Sequence, residues 1–287
     1  MLRSAGISPN KRLGQHFLID LNLMRLLVDS AGIAGNDVVL EVGCGTGSLT
    51  EALAEHAGRI VAVELDRSLS AIADKQLAKT TNVELVNADV LENKHTISRR
   101  VTDGLATARE ECPGRLLLVA NLPYNVASPV MMNLATGPAI ADAMTVTVQK
   151  EVAHRMTAGP GSGDYGTLSI LMHATGDSEI IRTLRPAVFW PQPQVDSAMV
   201  RFIRSPEKAG RIADMELFTE TVHLFVGHRR KTLLACTKLA REKLAGIANW
   251  PEILDKCRID SKQRPDQLSA EDYIAIANRA SNLRFSS

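Results

Sequence analysis

The first two thirds of the chain alternate short apolar runs with stretches whose apolar residues recur at helical spacing. The apolar runs lie at 38–43, 60–66, 83–89, 116–122 and 144–150, and helical stretches lie at 20–32, 48–58 and 68–79. Runs of this length are typical of strands that are buried on both faces. Because strands that alternate with helices pair in parallel, the pattern predicts an α/β fold with a doubly wound, mainly parallel sheet.

The last third of the chain follows a different pattern. A helix is predicted at 165–175, and two strands that follow it are expected to form an antiparallel edge of the sheet. The segment 206–211 is typical of a linker, and beyond it only helical spacing remains. We therefore predict a larger domain at 1–205 and a small all-helical domain at 206–287.

The composition is that of a soluble globular protein. Hydrophobic residues make up 45% and charged residues 23% of the chain, and no apolar stretch approaches the ~18 residues that cross a bilayer. The N-terminal segment lacks the apolar core of a secretory signal, so we expect a cytoplasmic protein with no membrane partner. The four cysteines are scattered without a CxxC pair, which argues against a disulfide framework and predicts no bound metal.

Overall charge does not indicate a nucleic-acid partner, because the formal net charge is only +1. The distribution of charge is more informative. The segment 228–243 holds six Lys and Arg with a single acidic residue. Such a segment is either a solvated helix face or a surface that contacts phosphate groups, and charge alone leaves both interpretations open.

A glycine-rich turn links the first apolar run to the next helix. In EVGCGTGSLT (41–50) the alternate glycines allow a tight turn and the close approach of a ligand to the backbone. A dinucleotide-binding fingerprint would need its third glycine where this chain has Ser48, which disfavours a nicotinamide oxidoreductase. The turn by itself is also compatible with a purely structural strand-to-helix connection.

Polar residues stand at the ends of the three predicted strands that follow. Glu64 lies 21 residues after Gly43, close to the ~20-residue offset of an acid that binds ribose hydroxyls. Asp89 ends the third strand, where a carboxylate can accept from an adenine amine, and Asn121 ends the fourth. Each acid alone is more simply a strand-end cap. Together, at the edge where α/β sheets bind ligands, they predict an adenosine ligand without a diphosphate, namely S-adenosylmethionine.

A series of motifs runs along nearly the whole chain. In order they are KRLGQHFLID (11–20), VLEVGCGTGSLT (39–50), VAVELD (61–66), NADVL (87–91), NLPYNVASPV (121–130), VQKEVAHRM (148–156), DYGTLSIL (164–171), FWPQPQVDSAMVRF (189–202), GHRRKTL (227–233) and RPDQLSAEDY (264–273). As an ordered set they resemble the ribosomal RNA adenine dimethyltransferases, specifically the KsgA/RsmA branch. No single motif among them is specific.

The resemblance implies a class I methyltransferase fold with a C-terminal helical domain. It also implies N6,N6-dimethylation of two adjacent adenines near the 3′ end of small-subunit ribosomal RNA, with S-adenosylmethionine as the methyl donor. The resemblance implies that the cofactor is contacted by His16, Leu18, Gly43, Glu64, Asp89 and Asn121. We add Gly45, from the glycine turn, to these residues.

The NLPY segment indicates how an adenine amine is prepared for methyl transfer. The lone pair of the amine is delocalised into the ring, so hydrogen-bond acceptors must hold its two N–H bonds in a geometry that frees the lone pair. The Asn121 side-chain oxygen and the Leu122 carbonyl are suited to this, and Pro123 restricts the conformation of Leu122. Tyr124 offers a face for stacking the base, and the resemblance implies Phe189 as the opposite wall. In isolation, NLPY is more simply a proline turn with a core tyrosine.

Basic residues in two parts of the chain are expected to contact RNA phosphates, which position a substrate. They are Lys11, Arg12, Arg229, Arg230 and Lys231. We expect the RNA partner to be that of a precursor small ribosomal subunit and the protein to act as a monomer.

Two other functions stay open at this point. An Erm-like enzyme that methylates large-subunit ribosomal RNA would share the fold and chemistry, although FWPQPQVDSAMVRF and GHRRKTL favour the small-subunit branch. The second alternative is a ribosome assembly factor that acts mainly by binding. The intact NLPY segment argues that catalysis is retained.

Overall fold

Strands and helices alternate in the order that the sequence predicts. The computed structural model describes residues 14–247 and 249–284. Its strands are β1 (Phe17–Leu18), β2 (Val38–Val42), β3 (Arg59–Glu64), β4 (Val83–Asn87), β5 (Leu91–Asn93), β6 (Thr96–Ile97), β7 (Leu116–Asn121), β8 (Ala143–Gln149), β9 (Gly176–Leu184), β10 (Phe189–Trp190) and β11 (Ser197–Arg204). Its α-helices are α1 (Leu21–Ala31), α2 (Ser48–Ala54), α3 (Arg67–Gln76), α4 (Arg99–Glu111), α5 (Ala127–Thr136), α6 (Lys150–Thr157), α7 (Thr167–Thr175), α8 (Pro206–Gly210), α9 (Met215–Gly227), α10 (Leu233–Thr237), α11 (Trp250–Lys256) and α12 (Ala270–Arg284).

The chain divides into two compact units, the first of which comprises the described residues up to Ala153 together with Glu179–Ile203. A seven-stranded sheet in the order β4-β3-β2-β7-β8-β11-β9 forms the centre of this first unit. The pairs β2·β3, β2·β7, β3·β4 and β7·β8 are parallel, and β11 runs antiparallel to β8. The predicted doubly wound, mainly parallel sheet is therefore confirmed. The strand order turns at β2, from which the chain extends to β3 and β4 on one side and later to β7 and β8 on the other. Ligands of open α/β sheets bind at such a switch point, beyond the carboxyl ends of the strands.

The central strands are mostly apolar because both of their faces are covered. All five residues of β2 are buried, and Leu40, Val61 and Leu118 are 0% exposed. Helices α1, α2 and α4 pack against these strands. This covering removes the alternation of polar and apolar residues that a half-exposed sheet would show.

Side-chain caps fix where helices α1 and α3 begin. The Asp20 carboxylate accepts from the backbone N–H groups of Asn22 and Leu23 at the start of α1, at 2.9 and 3.1 Å. The Asp66 carboxylate does the same for Ser68 at the start of α3, at 2.8 Å. Because an aspartate at this position satisfies free helical N–H groups, each helix starts directly after the strand or loop that carries a predicted site residue.

The polar segment 91–114, between β4 and β7, contains a small hairpin and a full helix. Strands β5 and β6 pair antiparallel, and α4 follows them. Helix α4 buries Val101, Leu105 and Ala108 and packs on β3, so it is the crossover helix between two strands of the sheet.

The expectation of a linker at 206–211 is wrong, because α8 occupies most of it. The Ser205 hydroxyl accepts from the backbone N–H of Lys208 at 3.2 Å, and Pro206 occupies the first helical position. Both are start signals for a helix, and here they outweigh the breaker character of proline.

The second unit consists of His154–Ser178 and the described residues from Arg204 onward. It includes 154–178 because α7 packs against α9 and α12. The compact units thus differ from the expected division at 205/206. Within this unit the Tyr273 hydroxyl donates to the Pro265 carbonyl at 2.9 Å, and the Phe225 ring meets Trp250 edge to face. No helix within the described ranges is long and apolar enough to cross a membrane.

Candidate active site

A cleft opens at the carboxyl ends of β2, β3 and β7, in the first unit. It holds about 670 Å³ of empty space, including space open to solvent. The predicted site residues that line it are His16, Gly43, Gly45, Glu64, Asp89, Asn121, Leu122 and Pro123. The fold therefore gathers most of the predicted catalytic and cofactor-binding residues, from distant parts of the chain, around one space.

The glycine turn packs directly against the NLPY segment. Gly43 has φ of +77°, and a Cβ added to it would lie 2.8 Å from Cγ of Pro123. Gly45 has φ of +60°, and its added Cβ would lie 2.8 Å from Cε1 of Phe17. Left-handed backbone and close neighbours together require glycine at both positions. The turn therefore exposes backbone rather than side chains to the cleft.

Glu64 is held in place by two backbone N–H groups. Its Oε2 accepts from Gly45 and its Oε1 from Asp66, each at 2.8 Å. Burial raises the pKa of this carboxyl above its ordinary value, whereas the two backbone bonds act in the opposite direction. Because each carboxylate oxygen has a further lone pair, Glu64 can still accept from a ligand.

Asp89 is exposed at the mouth of the cleft. Its Oδ1 accepts from the backbone N–H of Leu91 at 2.9 Å, which orients the carboxylate. The second oxygen has no such bond within the described chain, so it is available as an acceptor.

The Asn121 carboxamide has a defined orientation. Its Nδ2 donates to the His16 carbonyl at 2.6 Å, and its Oδ1 accepts a short hydrogen bond from the Thr147 hydroxyl. Leu122 is 1% exposed, and its backbone N–H donates to the Thr147 carbonyl at 3.1 Å. Across the described residues no donor is bonded to the Leu122 carbonyl oxygen. Both predicted acceptors thus lie in one segment, and that of Leu122 is a backbone carbonyl.

Tyr124 is partly buried and makes two contacts that fix its ring. The ring stacks on that of His16 with centroids 5.2 Å apart, and the hydroxyl shares a 2.7 Å hydrogen bond with Ser197. The His16 Nδ1–H in turn donates to the Pro191 carbonyl at 2.7 Å. One face of Tyr124 is therefore already in contact with a ring, and stacking of a base on it stays a prediction.

Three predicted catalytic or cofactor-binding residues are not among those that line the cleft: Tyr124, Leu18 and Phe189. Leu18 and Phe189 are partners in the β1·β10 pair, and both belong to the hydrophobic core of this unit. Phe189 is only 1% exposed. The pairing turns its ring into the core, so in this conformation Phe189 does not form the wall opposite Tyr124 that the sequence predicts.

The predicted RNA-contacting residues divide into two groups. Arg229, Arg230 and Lys231 are exposed on the turn that follows α9 in the second unit. Lys11 and Arg12 lie outside the described residues.

Comparison with known proteins identifies the family. The profile of the ribosomal RNA adenine dimethylase family matches residues 6–280. A protein of Pelotomaculum thermopropionicum named ribosomal RNA small subunit methyltransferase A is 37% identical over 280 residues, which cover 97% of this chain and 93% of the relative. The chain belongs to the ribosomal RNA adenine dimethylase family. The resemblance inferred from the sequence motifs is confirmed.

Solved structures share the fold of this dimethylase. A dimethyladenosine transferase from Plasmodium falciparum superposes with a TM-score of 0.72 at 22% identity, covering 91% of this chain and 95% of the other. The 23S rRNA methyltransferase ErmE superposes with a TM-score of 0.60 at 23% identity, covering 92% and 99%. The class I methyltransferase fold is thereby confirmed. At this identity neither likeness distinguishes between RNA substrates.

Three residues that contact the predicted site residues were themselves not predicted from the sequence. Thr147 bonds Asn121, Ser197 bonds Tyr124, and Phe17 packs on Gly45. Ser197 lies in the FWPQPQVDSAMVRF motif and Phe17 in KRLGQHFLID, so those motifs contained a signal. Thr147 lies inside an apolar strand, where threonine is an ordinary strand former.

Glu41, at the start of the glycine-turn motif, is a further titratable group beside the site. It is 2% exposed, and its Oε2 has no hydrogen-bond partner within residues 14–247 and 249–284. Burial raises the pKa of this carboxyl to about 8, and the nearby charge of Glu64 adds to the shift. Glu41 is therefore protonated at neutral pH.

Proposed function

We propose that this dimethylase converts two adjacent adenines near the 3′ end of small-subunit ribosomal RNA to N6,N6-dimethyladenine, with S-adenosylmethionine as the methyl donor. The observation that carries the proposal is the contact between Gly43 and Pro123. Through this contact, the NLPY segment, which offers two hydrogen-bond acceptors for an amine, lies beside the glycine turn, which is suited to bind a nucleoside. Family membership supports the same reaction.

The cleft residues fit S-adenosylmethionine. Gly43 and Gly45 expose backbone where a Cβ would meet neighbouring atoms. Glu64 keeps lone pairs that can accept from the ribose hydroxyls of the cofactor, and Asp89 has an oxygen that can accept from the amine of the cofactor's adenine. When bound, the donor supplies an electrophilic methyl group on a sulfonium sulfur.

Asn121 and Leu122 hold the target amine for an in-line displacement. The Asn121 Oδ1 and the Leu122 carbonyl accept its two N–H bonds, which favours a pyramidal nitrogen whose lone pair points at the methyl carbon. No strong base is needed, because the methylated amine becomes cationic and then loses a proton readily. The acceleration comes from positioning and electrostatics. Tyr124 stacks on the base, which must leave its RNA stack to enter the cleft.

Arg229, Arg230 and Lys231 contact phosphates of the RNA, together with Lys11 and Arg12. Their exposure is the support for the first three. The substrate is the RNA of a precursor small subunit, so the enzyme works in the cytoplasm during subunit assembly. It acts there as a monomer.

The names of the relatives favour RNA of the small subunit, rather than of the large subunit, as the substrate. The Pelotomaculum protein and one of Geobacillus thermodenitrificans, 36% identical over 281 residues, carry names that specify the small subunit. ErmE, whose title specifies 23S rRNA, is similar only in fold.

A methyl-transfer assay tests the proposal. Labelled S-adenosylmethionine is incubated with the full chain and immature small subunits, and the modified nucleotides are mapped. We expect two adjacent dimethyladenines near the 3′ end and no label in purified large subunits. Label confined to large subunits, or absent from both, would overturn the proposal. Comparing subunit maturation in cells with Asn121→Ala and in cells lacking the gene separates catalysis from binding.

A further inference from the structure

Thr147 connects to both amine acceptors of the proposed reaction. Its hydroxyl donates to Asn121 Oδ1, and its carbonyl accepts from the backbone N–H of Leu122 at 3.1 Å. The two strands β7 and β8 place Asn121 opposite Thr147 in parallel register. The contact is therefore set by the sheet rather than by a mobile loop.

The orientation of the Asn121 carboxamide follows from its neighbours. The His16 carbonyl can only accept, so the amide nitrogen must face it, and the amide oxygen must face Thr147. The Thr147 hydroxyl then has to donate. An amide oxygen has two lone pairs, so one remains for the target amine.

Thr147 is 0% exposed, so water does not replace its hydroxyl. Without that donor, Asn121 Oδ1 would lose one of the two side-chain bonds that hold the carboxamide, and the amide would be anchored only through the His16 carbonyl. A small misplacement of an acceptor costs much more in the transition state than in the ground state.

We propose that Thr147 is a positioning residue that orients the Asn121 carboxamide for methyl transfer. The inference rests on the proposed function, because it concerns the same amine acceptors. Thr147 acts through Asn121 and does not touch the target base.

Three variants of the full chain test the role of the hydroxyl. Thr147→Val removes it at nearly constant volume, and Thr147→Ser keeps it while removing a methyl group. Thr145→Val is the matched control, because Thr145 lies on the same face of β8, is 2% exposed, and its hydroxyl has no bond to the site. A thermal melt of each variant reports whether the fold is retained.

We expect Thr147→Val to lower kcat for methylation of immature small subunits about tenfold, with KM for S-adenosylmethionine changed by less than about twofold. Thr147→Ser and Thr145→Val should keep kcat within about twofold of the parent. The proposal is overturned if Thr147→Val keeps full kcat. It is also overturned if Thr147→Ser or Thr145→Val loses as much activity as Thr147→Val.

A readout without RNA separates this inference from the proposed function. The side-chain amide signals of Asn121 are assigned in ¹⁵N–¹H spectra by their loss in Asn121→Ala. We expect them to shift in Thr147→Val and to stay in place in Thr147→Ser and Thr145→Val. Unshifted signals in Thr147→Val would overturn the inference. An inactive parent enzyme would overturn the proposed function alone, and these spectra would still decide the role of Thr147.

Discussion

Gly43 and Pro123 are in such close contact that a Cβ on residue 43 would lie 2.8 Å from Cγ of the proline. One residue belongs to the glycine turn after β2, and the other to the segment after β7. In the proposed function, this contact sets the cofactor-binding turn directly against the segment that holds the target amine.

Replacing Gly43 by alanine tests this contact. The φ of +77° is strained for alanine, and the new methyl group would push against Pro123. We expect the dissociation constant for S-adenosylmethionine, measured by calorimetry, to rise at least ~10-fold and stability to fall by ~1–3 kcal/mol. Gly35→Ala is the control, because no atom lies within 4 Å of its added Cβ. Equal cofactor affinity in the two variants would contradict the prediction.

Replacing Asn121 by alanine removes the side-chain acceptor. We expect kcat for methylation to fall by at least ~10²-fold, as for loss of a preorganised transition-state contact. The fold should persist and much of the cofactor affinity should remain, because the glycine turn and Glu64 are untouched. Asn22→Ala, at an exposed position on α1, serves as the control. Activity of Asn121→Ala within a few-fold of the parent would refute the role of this amide.

Tyr124 is tested by two substitutions that separate its ring from its hydroxyl. Tyr124→Ala removes the stacking face, worth ~1–3 kcal/mol per base, so we expect kcat/KM for the RNA to fall ~5- to 150-fold. Tyr124→Phe keeps the ring and loses only the bond to Ser197, so the fall should stay below ~5-fold. Equal losses in both variants would show that the hydroxyl, rather than the ring, is what matters.

The sequence was sufficient to predict site residues whose place in the fold follows from the local pattern of strands and helices. Glu64 and Asn121 end parallel strands, and the carboxyl ends of parallel strands meet at one edge, so their convergence was predictable. The place of Phe189 was not, because it depends on pairing with Leu18, 171 residues away. Contacts between strands that are distant in sequence, such as that of Thr147 with Asn121, leave no trace in hydrophobic periodicity.

The proposed role of the basic turn after α9 is tested by how the affinity for small subunits depends on salt. Replacing Arg229, Arg230 and Lys231 together by alanine removes up to three phosphate contacts. Since each contact releases a counterion, we expect the slope of log K against log[salt] to become shallower by up to ~2–3. Binding to small subunits is measured by filter retention between low and physiological salt. Lys262→Ala, also exposed in the second unit, is the control and should leave the slope unchanged.

Glu41 makes the stability of the protein depend on pH. Its pKa is about 8 in the folded protein, where it is buried, against an ordinary value of 4.5. Between these values the folded chain holds a proton that the unfolded chain has lost, so the free energy of unfolding falls as pH rises through that window. Glu41→Gln stays neutral throughout, so its stability should fall less between pH 5 and pH 8.

We expect Glu41→Gln to be more stable than the parent at pH 8 by more than ~1 kcal/mol, and the difference to shrink as the pH falls towards 4.5, where the Glu41 carboxyl of the unfolded chain is half protonated. Urea unfolding followed by far-UV circular dichroism at pH 5, 6.5 and 8 measures this. Glu55→Gln, which changes an exposed carboxyl in the same unit, is the control and should follow the parent. A Glu41→Gln curve parallel to that of the parent would mean that Glu41 is ionised in the folded protein, since an ionised buried carboxylate contributes no proton difference over this range.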